Sequence, residues 1–229
     1  MKEKAVIVLS GGLDSTTCMG IARDKGFELY PITFFYNQRH QREVEHARQV
    51  AQHYGVADRH KIVNVSFLGD IGASALTDRN IAVPTTGVGE DIPKTYVPAR
   101  NLIFLSLAVA YAEVIGAKTL YTGVNAVDYS GYPDCRPEFI RSLTETVNLA
   151  TKAGVTSKDK IKIETPLISL TKGEIIQRGL ELNVPYELTT SCYQGEEEAC
   201  GVCDSCLLRL KGFTENNVVD PIPYKAITT

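Results

Sequence analysis

Tryptophan is absent from this 229-residue chain, and methionine and histidine are scarce, at two and four residues. The four histidines, His40, His46, His53 and His60, show no metal-ligand spacing and form no partner set for a nucleophilic cysteine. A histidine metal centre and a glutamine-hydrolysing cysteine–histidine pair are therefore not expected. His46 and His53 fall on the polar side of a predicted helix and read as surface groups. Long hydrophobic runs are also missing. The longest, 102–115, falls short of the roughly 20 residues of a membrane span and reads as buried helix. The early run 5–9 is too short for a secretory leader and passes directly into glycines. A cytoplasmic protein without a membrane partner is expected. An excess of positive charge is lacking as well: 24 Lys and Arg face 27 Asp and Glu, for a net charge of −3. With a pI of about 5.9, a broad nucleic-acid footprint is not expected, although a local basic patch is not excluded.

What is present is an ordinary globular composition, 44% hydrophobic and 22% charged, long enough for one large domain with a small appendage. Strand and helix signals alternate. The strands predicted are 4–9, 28–36, 61–65, 119–122 and an edge strand at 160–164. The helices predicted are 15–25, 42–54, 101–115, 137–152 and 171–182, the last opening on the capping box Thr171-Lys-Gly-Glu174. Residues 69–98, rich in Gly, Pro and Thr, read as a long loop. Repeated βα alternation predicts a mostly parallel sheet flanked by helices, an α/β Rossmann-like fold over 1–185, followed by a small metal-binding segment at 186–229.

The first βα turn reads LSGGLDST. A strand end followed by a helix N-terminus offers unpaired N–H groups and a partial positive charge. Gly11 and Gly12 would let a phosphate approach the backbone, and Ser10, Ser15 and Thr16 add hydroxyls. The opposing reading is a plain turn with Asp14 as helix cap. The loop is neither GxxxxGK[ST] nor GxGxxG but matches S-G-G-x-D-S, and here the chain resembles the PP-loop, or N-type ATP pyrophosphatase, superfamily. That resemblance implies an adenine nucleotide alpha hydrolase-like fold, ATP with Mg²⁺ as co-substrate on Leu9, Ser10, Gly11, Gly12, Leu13, Asp14, Ser15 and Thr16, and AMP transfer to an oxygen. Lys172 lies in TPLISLTKGEI, similar to the pyrophosphate-contacting lysine segment of related amide-forming enzymes. Together with Arg100, in VPARN, and Asp14 it is a candidate for the reaction centre. For each cation the opposing reading is a solvated surface charge.

Six cysteines are present, and four fall at Cys192-x7-Cys200-x2-Cys203-x2-Cys206. Four thiolates can close a tetrahedral Zn²⁺ site with no open position, which makes the metal structural, one ion per chain. The C-x2-C-x2-C run also begins an iron–sulfur pattern, and two of these cysteines could instead serve sulfur transfer. Cys18 and Cys135 have no such spacing, and Cys18 reads as a core residue.

The segment GVNAVDYSGYPDCRPEFI follows a predicted strand end and so borders the expected crevice. Its Tyr129, Tyr132, Asp134, Arg136 and Glu138 suit a planar, purine-like acid: rings stack, carboxylates accept paired N–H donors, arginine pairs with a carboxylate. The opposing reading makes Asp134 and Arg136 a helix-start pair with Pro137 in the first turn. Taken together, LSGGLDST, YNQRHQRE, VPARN, DYSGYPDCRPEF and SCY-x6-CGVCDSC resemble the 7-cyano-7-deazaguanine synthase family over residues 4 to about 215. The chain departs from that family's Y-G-Q-R-H at Asn37, where a left-handed turn is expected to survive. The resemblance implies a homodimeric ligase of queuosine biosynthesis. It would convert 7-carboxy-7-deazaguanine and free ammonia to the 7-cyano compound, with substrate contacts from Tyr132, Asp134, Arg136 and Glu138. The competing reading is a tRNA-modifying PP-loop enzyme, a thiolase or an amino-acid ligase.

Overall fold

The computed structural model describes residues 2–38, 42–78, 80–84, 92–127, 131–156, 158 and 160–226. Five strands, β1 (Lys4–Val8), β2 (Glu28–Phe35), β3 (Lys61–Asn64), β4 (Thr119–Tyr121) and β5 (Lys162–Glu164), form one sheet in the order β3-β2-β1-β4-β5. Every pairing is parallel, with Val6 opposite Tyr30 on one side and Leu120 on the other. The apolar run AVI at the centre of β1 is wholly buried, as a strand covered on both faces requires.

Helices α1 (Leu13–Asp24), α2 (Arg42–His53) and α7 (Lys172–Glu181) cover one face, and α4 (Arg100–Ile115) and α5 (Pro137–Ala150) the other. Each face has its own core. Phe104, Leu105, Val109, Ile140 and Leu143 pack under one side of the sheet, and Met19, Val50, Ile175 and Tyr186 under the other. The capping box at Thr171 is present, with the Thr171 hydroxyl accepting from the Glu174 amide and the Glu174 carboxylate accepting in return. Asn37 adopts φ 61°, the left-handed turn expected of it.

Three elements depart from the sequence reading. The predicted loop at 69–98 overlaps a short helix, α3 (Phe67–Ile71). The helix predicted to reach 152 ends at Ala150, where Thr151 turns extended, and a separate turn, α6 (Lys152–Thr156), follows. A whole helix, α8 (Asp204–Glu215), rises from the cysteine cluster; its Phe213 is 2% exposed and joins the core beside Tyr186 at 5.6 Å between ring centroids.

Of the histidines, His53 is exposed, whereas His46 is half-buried with Nδ1 2.8 Å from the Leu188 carbonyl, so it is not the surface group expected. Its place on the polar face of α2 turns it toward the 186–191 segment rather than toward water. His40 lies outside the described residues. His60 sits behind the glycine loop: the Thr33 hydroxyl donates its proton to the Leu9 carbonyl and lies 2.7 Å from His60 Nε2. A hydroxyl has one proton to give, so Nε2 carries the hydrogen. Burial, then the nearby Arg48 charge, hold the imidazole down to about 4, against about 6.5 when unfolded. Between those values the unfolded chain binds the extra proton. This contribution to stability is therefore complete above about pH 6.5 and is lost as pH falls toward about 4. His60→Gln, which keeps a donor for Thr33, is expected to flatten the fall in urea midpoint between pH 7.5 and pH 5. Parallel slopes in parent and variant would dismiss the assignment.

Candidate functional site

The strand order reverses between β1 and β4, and a cleft opens outside the carboxyl ends of these two strands, where open α/β sheets take their ligands. Leu9, Ser10, Gly12, Leu13, Asp14 and Ser15 line it from the first βα turn; Thr122 and Gly123 line it from the end of β4. The amides of Leu13, Asp14 and Ser15 stand in the first turn of α1, where no helical carbonyl is available to them.

The loop is closed by its own hydroxyls. Ser15 Oγ accepts from the Ser10 amide at 3.1 Å and lies 3.0 Å from Ser10 Oγ, which in turn accepts from the Gly12 amide at 3.2 Å. Thr16 is fully buried, with its hydroxyl donating to the Gly12 carbonyl at 2.8 Å, so it braces the loop without facing the cleft. The two glycines have different tasks. Gly11 has φ 86°, and a Cβ there would lie 2.3 Å from the Glu43 carbonyl and 2.7 Å from the Ala47 amide. Its bareness admits α2 rather than a ligand, whereas Gly12 faces the cleft. The cap position of α1 is Gly12, not Asp14.

Asp14 instead meets Lys172. The ammonium, at the first position of α7, lies 2.7 and 2.9 Å from the two carboxylate oxygens. Lys172 is 7% exposed, its stem running against Gly212 of α8, where a Cβ would come within 2.8 Å of it. The solvated-charge reading of Lys172 therefore fails. Arg100 also reaches the cleft, donating to the Tyr36 hydroxyl at 3.2 Å with its guanidinium 5.9 Å from that ring. The preceding Ala99 sits at φ 55°, a left-handed conformation costing about 1–2 kcal/mol for a residue with a Cβ.

Phe34, Tyr36, Phe104 and Tyr132 give the cleft an aromatic wall. Phe34 stacks on Phe104 at 4.3 Å, Tyr36 tilts against Phe104 at 5.5 Å, and Tyr132 is 6% exposed with its hydroxyl 2.6 Å from Thr95 Oγ1. Burial raises the Tyr132 and Tyr36 phenols above their usual range, so both stay neutral. Cys135 also lines the cleft; burial, then the neighbouring Asp134, push its thiol up to about 12. It is a protonated thiol, not a nucleophile at neutral pH.

Of the four residues read as substrate contacts, the structure brings Tyr132 alone to the cleft wall. Asp134 is buried and accepts from the Asn101 amide at 2.9 Å. Its charge thus answers the N-terminus of α4. Arg136 is the exposed N-cap of α5, Pro137 opens that helix, and Glu138 is exposed in its first turn. This is the helix-start reading, and it follows from Pro137 favouring a first helical turn. Tyr129 lies outside the described residues.

Sequence reasoning placed the segment opening at Gly123 along the crevice but gave no individual role to Gly123, Arg209, Ser191 or Tyr193, all of which line the cleft. Gly123 had a usable signal, a glycine directly after a strand. A Cβ there would lie 2.9 Å from the Ser15 amide nitrogen and 3.0 Å from the Asp14 carbonyl carbon. Backbone cannot yield as a side chain can. Gly123→Ala is expected to displace the start of α1 and lower kcat/KM for a reaction carried out in this cleft by about 10²-fold, read by steady-state kinetics. A loss of less than threefold would mean the loop tolerates the shift.

Beside the cleft, the Sγ atoms of Cys192, Cys200, Cys203 and Cys206 all lie within 4.8 Å of one another. Metal–sulfur arms of about 2.3 Å place tetrahedral sulfurs about 3.8 Å apart, and Cys200 Sγ is 3.9 Å from Cys206 Sγ. The amides of Cys200 and Cys203 donate to Cys192 Sγ and Cys200 Sγ, each at 3.4 Å, which favours thiolates. The donor set fits a single metal ion. No helix among the described residues is long and apolar enough to cross a membrane.

The family model described as queuosine biosynthesis protein QueC matches residues 4–217. A 7-cyano-7-deazaguanine synthase of Oceanobacillus iheyensis is 58% identical over 222 residues, 97% of this chain and 98% of that protein. One of Geobacter metallireducens is 56% identical over 229 residues, 99% of this chain and 95% of that protein. Among solved structures, a 4-thiouridine synthetase–RNA complex with bound ATP aligns with TM-score 0.53 at 19% identity. It covers 93% of this chain, which spans half of that one, and the likeness concerns the fold alone.

Proposed function

The chain belongs to the QueC family of queuosine biosynthesis proteins, and from that premise we propose that it is an ATP-dependent ligase making 7-cyano-7-deazaguanine from 7-carboxy-7-deazaguanine and ammonia. The observation that carries this reading is the cleft at the switch point. It sets the SGGLDS loop and the Lys172 ammonium in one cleft with the Phe34, Tyr36, Phe104 and Tyr132 rings.

In this reading the first-turn amides of α1, with Ser10, Gly12 and Ser15, hold the phosphates of Mg-ATP. Leu9 and Leu13 line the cleft beside them, and Gly11 and Thr16 shape the loop from behind. Lys172 leaves Asp14 for the phosphate as charge builds there, and Arg100 serves the same anion or the carboxylate from across the cleft. The carboxylate oxygen of the acid attacks the α-phosphorus and pyrophosphate departs. Ammonia then displaces AMP to give the amide. The amide oxygen is activated by a second ATP in the same in-line position, releasing pyrophosphate, and loss of AMP and of both amide N–H protons leaves the nitrile. Tyr132 belongs to the ring-binding wall; Asp134 acts on the acid only through α4, and Arg136 and Glu138 are proposed to act outside this cleft. The four thiolates would hold a structural Zn²⁺, a closed site that supplies order and no Lewis acid. The cytoplasm is the proposed compartment. A homodimer is part of the reading, supported by Leu102, Leu107 and Val114 on the outer face of α4, of which Val114 is 84% exposed.

The test incubates the protein with Mg-ATP, ammonium and 7-carboxy-7-deazaguanine and reads products by mass. The amide should appear and give way to the nitrile, with AMP and pyrophosphate accumulating. Intact ATP, with neither amide nor nitrile formed, would overturn the reading and direct the search to tRNA as substrate.

A further inference from the structure

The cysteine cluster, the C-terminal tail and the glycine loop meet at one buried side chain. Arg209, three residues beyond Cys206 on α8, is 1% exposed. All five of its N–H donors are matched. Nε and Nη2 donate to the two carboxylate oxygens of Asp220 at 2.7 and 2.9 Å. Nη1 donates to Thr189 Oγ1 at 2.7 Å and Ser191 Oγ at 3.3 Å, and Nη2 also to the Tyr186 carbonyl at 3.1 Å. Asp220 accepts in addition from the Tyr224 hydroxyl at 2.6 Å.

Two further sets of bonds extend this junction. The tail lies along the cysteine segment, with the Ala199 amide donating to the Pro223 carbonyl and the Lys225 amide to the Ala199 carbonyl, each at 2.9 Å. On the cleft side, the Thr190 amide donates to the Gly11 carbonyl at 3.0 Å. The segment that Arg209 grips is thus stitched directly to the glycine loop. A buried ion pair is weak support for stability by itself. A planar fork with every donor matched does something an apolar pair cannot: it fixes three chain segments at set angles to one another.

We infer that Arg209 is a positioning residue for the nucleotide loop, and that with Asp220 it straps the C-terminal tail across the cysteine cluster so that the 189–191 wall is held against Gly11. It acts through that wall and not on the reacting atoms. The inference rests on the cleft being the nucleotide site, as proposed above.

The test uses the full-length, metal-loaded protein with Asp220→Asn and the milder Tyr224→Phe. Tyr224 does not line the cleft, and Tyr224→Phe removes one hydrogen bond while keeping the ring. Loss of one bond to a charged group predicts a rise of about fivefold or more in the Kd for Mg-ATP, and in its KM, for Tyr224→Phe. Asp220→Asn should raise both further. The KM for the acid and the metal content per chain should not move. Arg209→Lys, lacking the fork, should not restore nucleotide affinity. A nucleotide Kd within twofold of the parent in metal-loaded variants would overturn the inference, as would an equal rise in both KM values. If Asp220→Asn does not fold, Tyr224→Phe decides. A parent that binds Mg-ATP yet makes no nitrile would sink the proposed reaction, leaving the strap to be judged on the nucleotide Kd. A parent that binds no nucleotide would overturn both.

Discussion

Lys172→Ala is expected to lower kcat by about 10²–10³-fold while the protein stays folded. Preorganised positive charge at a developing phosphate anion is worth that much when a single donor is removed. The structure shows why this lysine is preorganised. Its stem is confined against Gly212, and its ammonium is held by both oxygens of Asp14 before any nucleotide arrives. The stability loss should be modest, since the Asp14 side chain left behind is 21% exposed and can hydrate. Lys172→Arg should not rescue turnover, because a planar guanidinium does not present the compact point charge that the ammonium holds on Asp14. Asp14→Asn should be the intermediate case, with lysine present but less firmly aimed. The measurement is AMP release at saturating substrates beside a thermal melt. Turnover of Lys172→Ala within threefold of the parent would place the phosphate elsewhere in the cleft.

Buried parallel strands appear as unbroken apolar runs, and AVIVL could hardly be read otherwise. The loop and the cysteines were legible because their chemistry demands particular residue types at short spacing. What was hidden depends on contacts between distant segments. Gly11 and Gly12 look alike in sequence, yet one faces α2 and the other the cleft, and only the packing of α2 distinguishes them. Asp134 looks like a ligand for a purine edge until the N-terminus of α4 is found against it. Helix α8 begins inside the cysteine cluster, so its opening residues read as part of a metal loop. Arg209, the side chain that ties the most together, has no local signal, because its partner Asp220 and its acceptors Thr189 and Ser191 lie on opposite sides of it in the chain.

Metal removal should reach the cleft as well as the tail. A four-thiolate site is worth on the order of 10–16 kcal/mol, comparable to the 5–15 kcal/mol that holds a whole domain folded. Cys203 is fully buried, and Cys192 directly follows Ser191 in the cleft wall. Stripping the ion under reducing conditions leaves four close thiols with nothing between them, and the 192–206 segment then has little to hold its shape. The wall at 189–193 should loosen with it, and α8 should lose its starting turn. The expected result is a fall of at least 10 °C in melting temperature, loss of ATP turnover, and rapid amide exchange over 189–225. The sheet should keep its protection. Cys203→Ser should reproduce the chelated protein, and added Zn²⁺ should restore the parent but not the variant. A chelated chain, shown metal-free by atomic spectrometry, that melts with the parent and still consumes ATP would mean the sulfur cluster only decorates the fold. The outcome expected instead, a cleft that fails when the cluster opens, follows from the cysteine segment supplying one wall of the cleft.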